Sequence, residues 1–479
     1  MATISEALAI AIQHHQAGRL QAAQQIYEQI LQAVPNHADA LHLLGVLAHQ
    51  AGKHEIAVGY IERAIALNGN AAIFHNNLGG AYYALGRIPE AVASYRRALE
   101  LKSDVADTHN NLGIALKDQG KLDEAIACYR RALQLNPDYA EAHYSLGIAL
   151  QEQGELNEAI ACYRRALELR PDYAEAHNNL GTALTSTGGE WTVDRGRWTV
   201  DSGQWTVNGP LPFSVHRPPT TVHEAIACFR RALQLKPDYA EAYGNLGTAL
   251  QGQGLLAEAS ACYRRALELK PDYAEAHWNR ALLWLRSGNW AEGWPEYEWR
   301  WQTKDWRPRC SPQMLWTGQS LQGKTILLHA EQGLGDTIQF IRYAPVLGEY
   351  QARVVVECQK PLLRLLASCP GIAQLIGEGE ELPRFDVRAP LLSLPLRCKT
   401  TFENLPASVP YLFPVSALVA QWRERLSNIA GFKVGICWQG NPRYRGDCFR
   451  SIPLRCFAAL GRIAGVTLIS LQKGFGREN

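Results

Sequence analysis

No run of 18 apolar residues occurs in the 479-residue chain, so no helical membrane span is expected. Nor is there an excess of either charge. The 48 Lys and Arg against 46 Asp and Glu leave a formal +2, which gives no electrostatic case for nucleic acid or an anionic membrane as the main partner. The opening residues, Met-Ala-Thr-Ile-Ser-Glu, lack a basic leader region, so no signal peptide is read there and a cytoplasmic location is expected. Among the 11 cysteines no CxxC pair occurs. Cys128, Cys162, Cys228 and Cys262 recur at one spacing and read as small apolar packing thiols in a reducing compartment, with neither metal nor disulfide expected.

What the sequence does have is a period. Leu-Gly stands at 44–45, 78–79, 112–113, 146–147 and 180–181, always 34 residues on, and returns at 246–247. Around each pair one template is rebuilt: Asn-Asn-Leu-Gly, then Gly, Glu-Ala, Tyr-Arg-Arg-Ala-Leu and Pro-Asp-Tyr-Ala-Glu-Ala. A 34-residue period with this template is the tetratricopeptide (TPR) pattern of two antiparallel helices per repeat, which specifies an α-solenoid whose first task is binding. About eight repeats are expected over residues 1–307. Glycines of the Leu-Gly pairs and alanines such as Ala91 and Ala125 mark close helix approaches, with Tyr95, Tyr129, Tyr163, Phe229 and Tyr263 filling between them. Pro35, Pro137, Pro171, Pro237 and Pro271 stop the second helices because proline cannot continue the hydrogen-bond ladder.

The sixth repeat carries 32 extra residues, about 190–221. Trp191, Trp198 and Trp205 each begin a Trp-Thr-Val unit, and the seven-residue spacing fits expansion of a short DNA unit read through three frames. A surface excursion that leaves the hairpin intact is expected there.

Two columns could recognise ligands. Asn77, Asn111, Asn179, Asn245 and Asn279 share one position on the first helices, interrupted by Leu43 and Ser145. A primary amide donates and accepts, so such a ladder suits an extended peptide backbone; bonding between helices is the alternative. The column resembles the asparagine ladder in the TPR region of O-linked N-acetylglucosamine transferase, where first helices line the concave face. The partner expected from it is a protein or peptide on that face. His75, His109, His143, His177 and His277 form the second column, one hairpin apart and too distant to share a metal.

Beyond Asn289 the period changes. Residues 290–301 read as a last, modified hairpin, and apolar strands at 324–331 and 352–358 then alternate with helices through about Leu347 and over 361–368. Shorter strands near 374–377 and 385–389 follow, and a second unit starts at 432–438 and reaches a strand at 466–471. Strands alternating with helices specify a parallel, doubly wound sheet.

The stretches GNWAEGWPEYEWRW, GLGDTIQFIRYAPVL, ICWQGNPRYRGDCFRSIPL and LISLQKG resemble the heptosyltransferase-like group, glycosyltransferase family nine, with its two-Rossmann GT-B fold. The resemblance implies a first Rossmann-like domain at 308–430 and the start of a second at 431–479. It implies an inverting transfer from a nucleotide sugar, the donor substrate, with no further cofactor. Gly335-Asp336 matches the group's Gly-Asp after the first strand, so the resemblance makes Asp336 the general base. Gly333 and Gly335 would allow a tight turn with exposed amides for phosphate. Arg443, Arg445, Arg450 and Ser451 would face the diphosphate. Capping by Asp336 and a solvated basic loop are the alternatives. A donor-side segment of the Val-Asp-Thr-Ala-x-Ala-His kind is not found up to Asn479, so the chain reads as a truncated copy, and transfer by it alone is not expected.

Overall fold

The glycines of the repeat explain how the helices pair. In a computed structural model, which describes residues 3–186, 198–201, 204–207, 219–303, 314–438, 440, 451–452 and 454–472, the chain divides into two units. The first comprises residues 1–189 and 219–237, the second residues 190–218 and 238–479.

Among the described residues the first unit is six antiparallel helix pairs, from Ile4–Gln16 with Leu20–Ala33 to Ala174–Ser186 with Pro219–Leu235. Within five of the pairs the chain reverses through a glycine at the same repeat position, Gly18, Gly52, Gly86, Gly120 and Gly154, at φ of 72°, 74°, 72°, 80° and 92°. That left-handed conformation suits glycine because a Cβ there is strained. Second helices end at Ala33, Leu135, Leu169 and Leu235, two residues before the prolines expected to stop them.

The Leu-Gly glycine is needed for a different reason. A Cβ built on Gly113 would lie 2.6 Å from the Tyr129 ring, and one on Gly181 would lie 2.7 Å from Phe229. The ring of each second helix therefore rests on bare backbone of its partner. The Gly181–Phe229 contact also shows that the sixth pair closes although the insertion lies between its helices. Gly113→Ala should accordingly destabilise the fold by about 1–3 kcal/mol through overpacking. Gly59, mid-helix and with nothing within 4 Å of an added Cβ, is the internal control. Gly59→Ala should stabilise by about 0.5–1 kcal/mol. Thermal melts followed by circular dichroism check both signs.

Between pairs, the first arginine of Tyr-Arg-Arg reaches the next repeat: Arg96–Glu124 at 2.8 Å, Arg130–Glu158 at 3.2 Å and Arg164–Glu224 at 2.7 Å. These groups are about half exposed, so each contributes at most about 1 kcal/mol. Stability rests on the buried Ala–Tyr columns instead.

The second unit begins with a short antiparallel pair, β1 (Trp198–Asp201) and β2 (Gln204–Val207), within the insertion. The remaining part of the insertion lies outside the described residues. Two more helix pairs follow, Ala240–Gly252 with Leu256–Leu269 and Ala274–Arg286 with Trp290–Tyr297. Four parallel strands then form one sheet: β3 (Thr325–His329), β4 (Arg353–Cys358), β5 (Ile372–Gly377) and β6 (Val387–Pro390), in the order β5-β4-β3-β6. The chain winds outward from β3 through β4 to β5, then crosses back to pair β6 with β3. Side chains alternate between faces. Ile326, Leu328, Val354 and Val356 join one core, to which Trp278 and Leu282 of the last repeat also pack. Leu327, Val355 and Ile376 form the other with Phe385.

The helix expected through Leu347 is broken into Leu334–Phe340 and Tyr343–Glu349. Pro345 has no N–H for the Ile341 carbonyl, which accepts instead from Ala344 N–H at 2.9 Å. A separate parallel pair, β7 (Phe432–Ile436) with β8 (Val466–Ser470), completes the described strands.

Candidate functional sites

In the first unit, Asn77 Nδ2 donates to His42 Nε2 at 2.9 Å and Asn179 Nδ2 donates to the Tyr144 hydroxyl at 3.1 Å. In the second unit, Asn279 Nδ2 donates to Thr248 Oγ1 at 3.3 Å. Each acceptor lies on the first helix of the preceding repeat, so these asparagines bond between helices. Burial lowers the His42 pKa to about 4, which keeps the imidazole neutral and Nε2 able to accept. All five column asparagines, Asn111 and Asn245 included, are half-buried. An amide has two N–H donors and two acceptor lone pairs, so one such bond does not exhaust it.

The histidine column has a local task that the sequence did not disclose. His75, His109, His143, His177 and His277 each place Nε2 at 2.8–3.0 Å from the carbonyl six residues earlier, in the turn that enters the repeat. Each ring tethers its own turn. The cysteine column is chemically quiet: burial pushes Cys162 and Cys228 up to about 11, so neither is a thiolate at neutral pH.

In the parallel sheet the winding reverses between β3 and β6, and ligands of such sheets settle beyond the carboxyl ends of the strands at that point. Here the position is filled. Arg300, fully buried, comes from the end of the last repeat hairpin. Its Nη2 lies 3.1 Å from Glu331, two residues past β3, and 2.7 Å from Ser393 Oγ, three residues past β6. Its Nη1 donates to Glu298 at 2.6 Å, and Arg397 donates to the same carboxylate at 3.1 Å. Leu392 N–H adds a bond to Glu331 at 3.0 Å. Burial raises the Glu331 pKa to about 7 against the opposing pull of Arg300. Sequence reasoning missed this cluster. Its only signal was an arginine between two tryptophans and a glutamate directly after a strand.

The Gly-Leu-Gly-Asp-Thr loop follows the same strand. Asp336 Oδ2 accepts from Gly333 N–H at 3.0 Å, the capping geometry held open as an alternative. The glycines are not needed for a tight turn: Gly333 has φ −70°, and a Cβ on Gly335 would meet nothing within 4 Å. The loop is tied to its surroundings through side chains. Thr337 donates to Gln359 at 3.0 Å, Gln359 to the Gln332 carbonyl at 2.8 Å, and Gln332 to the Tyr297 hydroxyl at 3.2 Å. Ser451 Oγ accepts from Gly440 N–H at 2.8 Å, whereas Arg443, Arg445 and Arg450 lie outside the described residues.

The family model described as TPR repeat matches residues 79–120, 115–154, 149–188, 222–254 and 253–288, and the one described as tetratricopeptide repeat matches residues 8–58. The chain carries tetratricopeptide repeats. Protein FlbA of Caulobacter vibrioides is 26% identical over 282 residues, 52% of this chain and 46% of FlbA, so the chain spans about half the length of that curated relative. The solved structure of MamA is 26% identical with a TM-score of 0.32, covering 35% of this chain and 97% of MamA. That of YrrB, described as a TPR protein with an unusual peptide-binding site, is 19% identical with a TM-score of 0.33, covering 45% of this chain and 95% of YrrB. Among the described residues no helix is long and apolar enough to cross a membrane.

Proposed function

We propose that this chain is a scaffold whose repeats, over 1–307, hold a protein segment in extended form, joined to a glycosyltransferase-like region at 308–430 and 431–479. The amide column carries the reading. Asn77, Asn111 and Asn179 share one repeat position, half-buried and interrupted by Ser145, as do Asn245 and Asn279 further along. Asn77 and Asn179 are fixed by the preceding repeat, so little side-chain entropy remains to be lost on binding. Main-chain groups of a bound segment would be read regardless of its side chains.

Peptides selected from a random library on the wild-type chain supply the test. Asn77→Ala, Asn111→Ala and Asn179→Ala combined should weaken them by one to three orders of magnitude, from roughly 0.5–1.5 kcal/mol per lost bond. Among the described residues Asn111 donates no such bond to a neighbouring repeat, so Asn111→Ala alone separates binding from packing. It should weaken binding about threefold to tenfold with an unchanged melt. Undiminished affinity in both variants sinks the ladder.

For the α/β region we read glycosyltransferase ancestry, with Asp336 in the position of the general base and Gly333, Gly335, Arg443, Arg445, Arg450 and Ser451 toward the diphosphate. Binding rather than transfer is the activity of this chain. The filled position beyond β3 and β6 supports that reading.

A further inference from the structure

In the first unit His49 lies in the last turn of the helix Ala38–Gln50 and His54 opens the helix His54–Leu67, on either side of the Gly52 reversal. Their Nδ1 atoms face each other at 3.1 Å, with ring centroids 4.8 Å apart and ring planes inclined at 57°. Two imidazoles meeting head-on through an N–H···N bond of that length would set their centroids about 5.4 Å apart. These rings are splayed instead. An ion about 2.0–2.1 Å from both nitrogens would see them at about 95–100° and would set the centroids about 4.8 Å apart. The observed spacing is thus the one that two ligands of a single ion require. Both rings are partly exposed. Burial and the neighbouring His54 ring lower the His49 pKa, so that ring is neutral and keeps a lone pair at neutral pH. The next repeat leaves space beside it. A Cβ on Gly80 would stand 4.0 Å from His49 Nε2, at the position that later repeats fill with Ile114, Ile148 and Thr182.

We propose that His49 and His54 bind a divalent late transition-metal ion, Cu²⁺ most tightly, through their two Nδ1 atoms. Imidazole suits such ions, and affinity at a nitrogen site peaks at Cu²⁺ along the first-row series. Each neutral ring carries one proton. With Nδ1 on the metal that proton sits on Nε2, so the pair releases none on binding. Among the described residues no group of three or more His, Cys, Asp or Glu comes together to hold a metal, so water completes the coordination and the ion exchanges readily. Other histidines of these repeats are committed elsewhere. His42 accepts from Asn77, His75 tethers its turn, and His15 lies between Tyr27 and Gln50. The two ligands are already placed by one hairpin, so little ordering remains to oppose binding. The inference is independent of peptide binding by the repeats.

Calorimetry and electron paramagnetic resonance on the full chain test it with Cu²⁺, and with Mg²⁺ as a hard ion that prefers oxygen ligands. The tightest Cu²⁺ should bind with a Kd of about 1–100 µM, whereas Mg²⁺ should give no binding at about 1 mM. The spectrum of that Cu²⁺ should carry hyperfine coupling to two imidazole nitrogens. His49→Gln and His54→Gln should each weaken it at least about tenfold and leave coupling to one nitrogen. His14→Gln, which changes a ring held by Arg19, should alter neither readout. Circular dichroism checks that each variant keeps its helices. A pair that serves only as a hydrogen bond would lower the melt in His54→Gln and leave the Cu²⁺ titration unchanged, which overturns the assignment. A wild-type Kd above about 1 mM, or Mg²⁺ binding as tightly as Cu²⁺, overturns it too.

Discussion

Arg300→Leu should lower the stability of the second unit by about 3–5 kcal/mol, the cost of leaving a buried carboxylate without its partner. All 13 tryptophans fall between Trp191 and Trp438, within the second unit, so tryptophan fluorescence in a denaturant series reports on it alone. Two carboxylates are stranded by the change. Glu331 loses both Nη2 and Nε, at 3.1–3.3 Å, and Glu298 keeps only Arg397 and Ser393. The pH dependence fixes the mechanism. Burial, the largest influence, raises the Glu331 pKa from 4.5 to about 7, and Arg300 opposes it. A carboxyl whose folded pKa is raised holds a proton that the unfolded chain releases, so its stabilisation is complete below about 4.5 and lost as pH rises toward 7. Without Arg300 the folded pKa climbs further, and the loss extends to higher pH. The deficit of Arg300→Leu should therefore be smaller at acidic than at alkaline pH, and adding Glu331→Gln should recover much of it. A deficit below about 1 kcal/mol, or one that ignores pH, shows that the cluster is not the clamp described.

The same cluster shows why some of this protein could be read from its sequence and some could not. The repeats were legible because one physical requirement recurs: a Cβ on Gly79, Gly113 or Gly147 would lie 2.6–2.7 Å from an aromatic ring of the partner helix, so the sequence repeats the constraint with the period. Strands β3 and β4 were legible as short apolar runs buried on both faces. Arg300 and Glu331 have no periodic signature. They are 31 residues apart and meet only because the last hairpin packs on the sheet. Residue type alone also left the asparagines ambiguous, since donation to His42 or Tyr144 depends on the stagger of neighbouring helices. Gly335 was over-read, because a glycine in a loop suggests a tight turn that this backbone does not make.

Calorimetric titration with UDP-, GDP- and ADP-sugars should give no Kd tighter than about 1 mM, and donor hydrolysis should equal that of Asp336→Ala. Sugar transfer requires a base and a phosphate-binding surface held in register, with room between them for the reacting carbon. Beyond the carboxyl ends of β3 and β6 that room is taken by the Arg300 guanidinium, every nitrogen of which already donates to Glu298, Glu331, Ser393 or the Tyr297 carbonyl. A diphosphate entering there would have to displace Glu331 and leave it buried. Asp336 meanwhile holds Gly333 N–H at 3.0 Å, so Asp336→Ala should cost about 0.5–1 kcal/mol of stability through the lost cap and nothing in turnover. The two readouts separate the roles: a structural aspartate moves the melt and a catalytic one moves the rate. Micromolar binding of any donor, or hydrolysis that disappears in Asp336→Ala, returns the chain to the transferases.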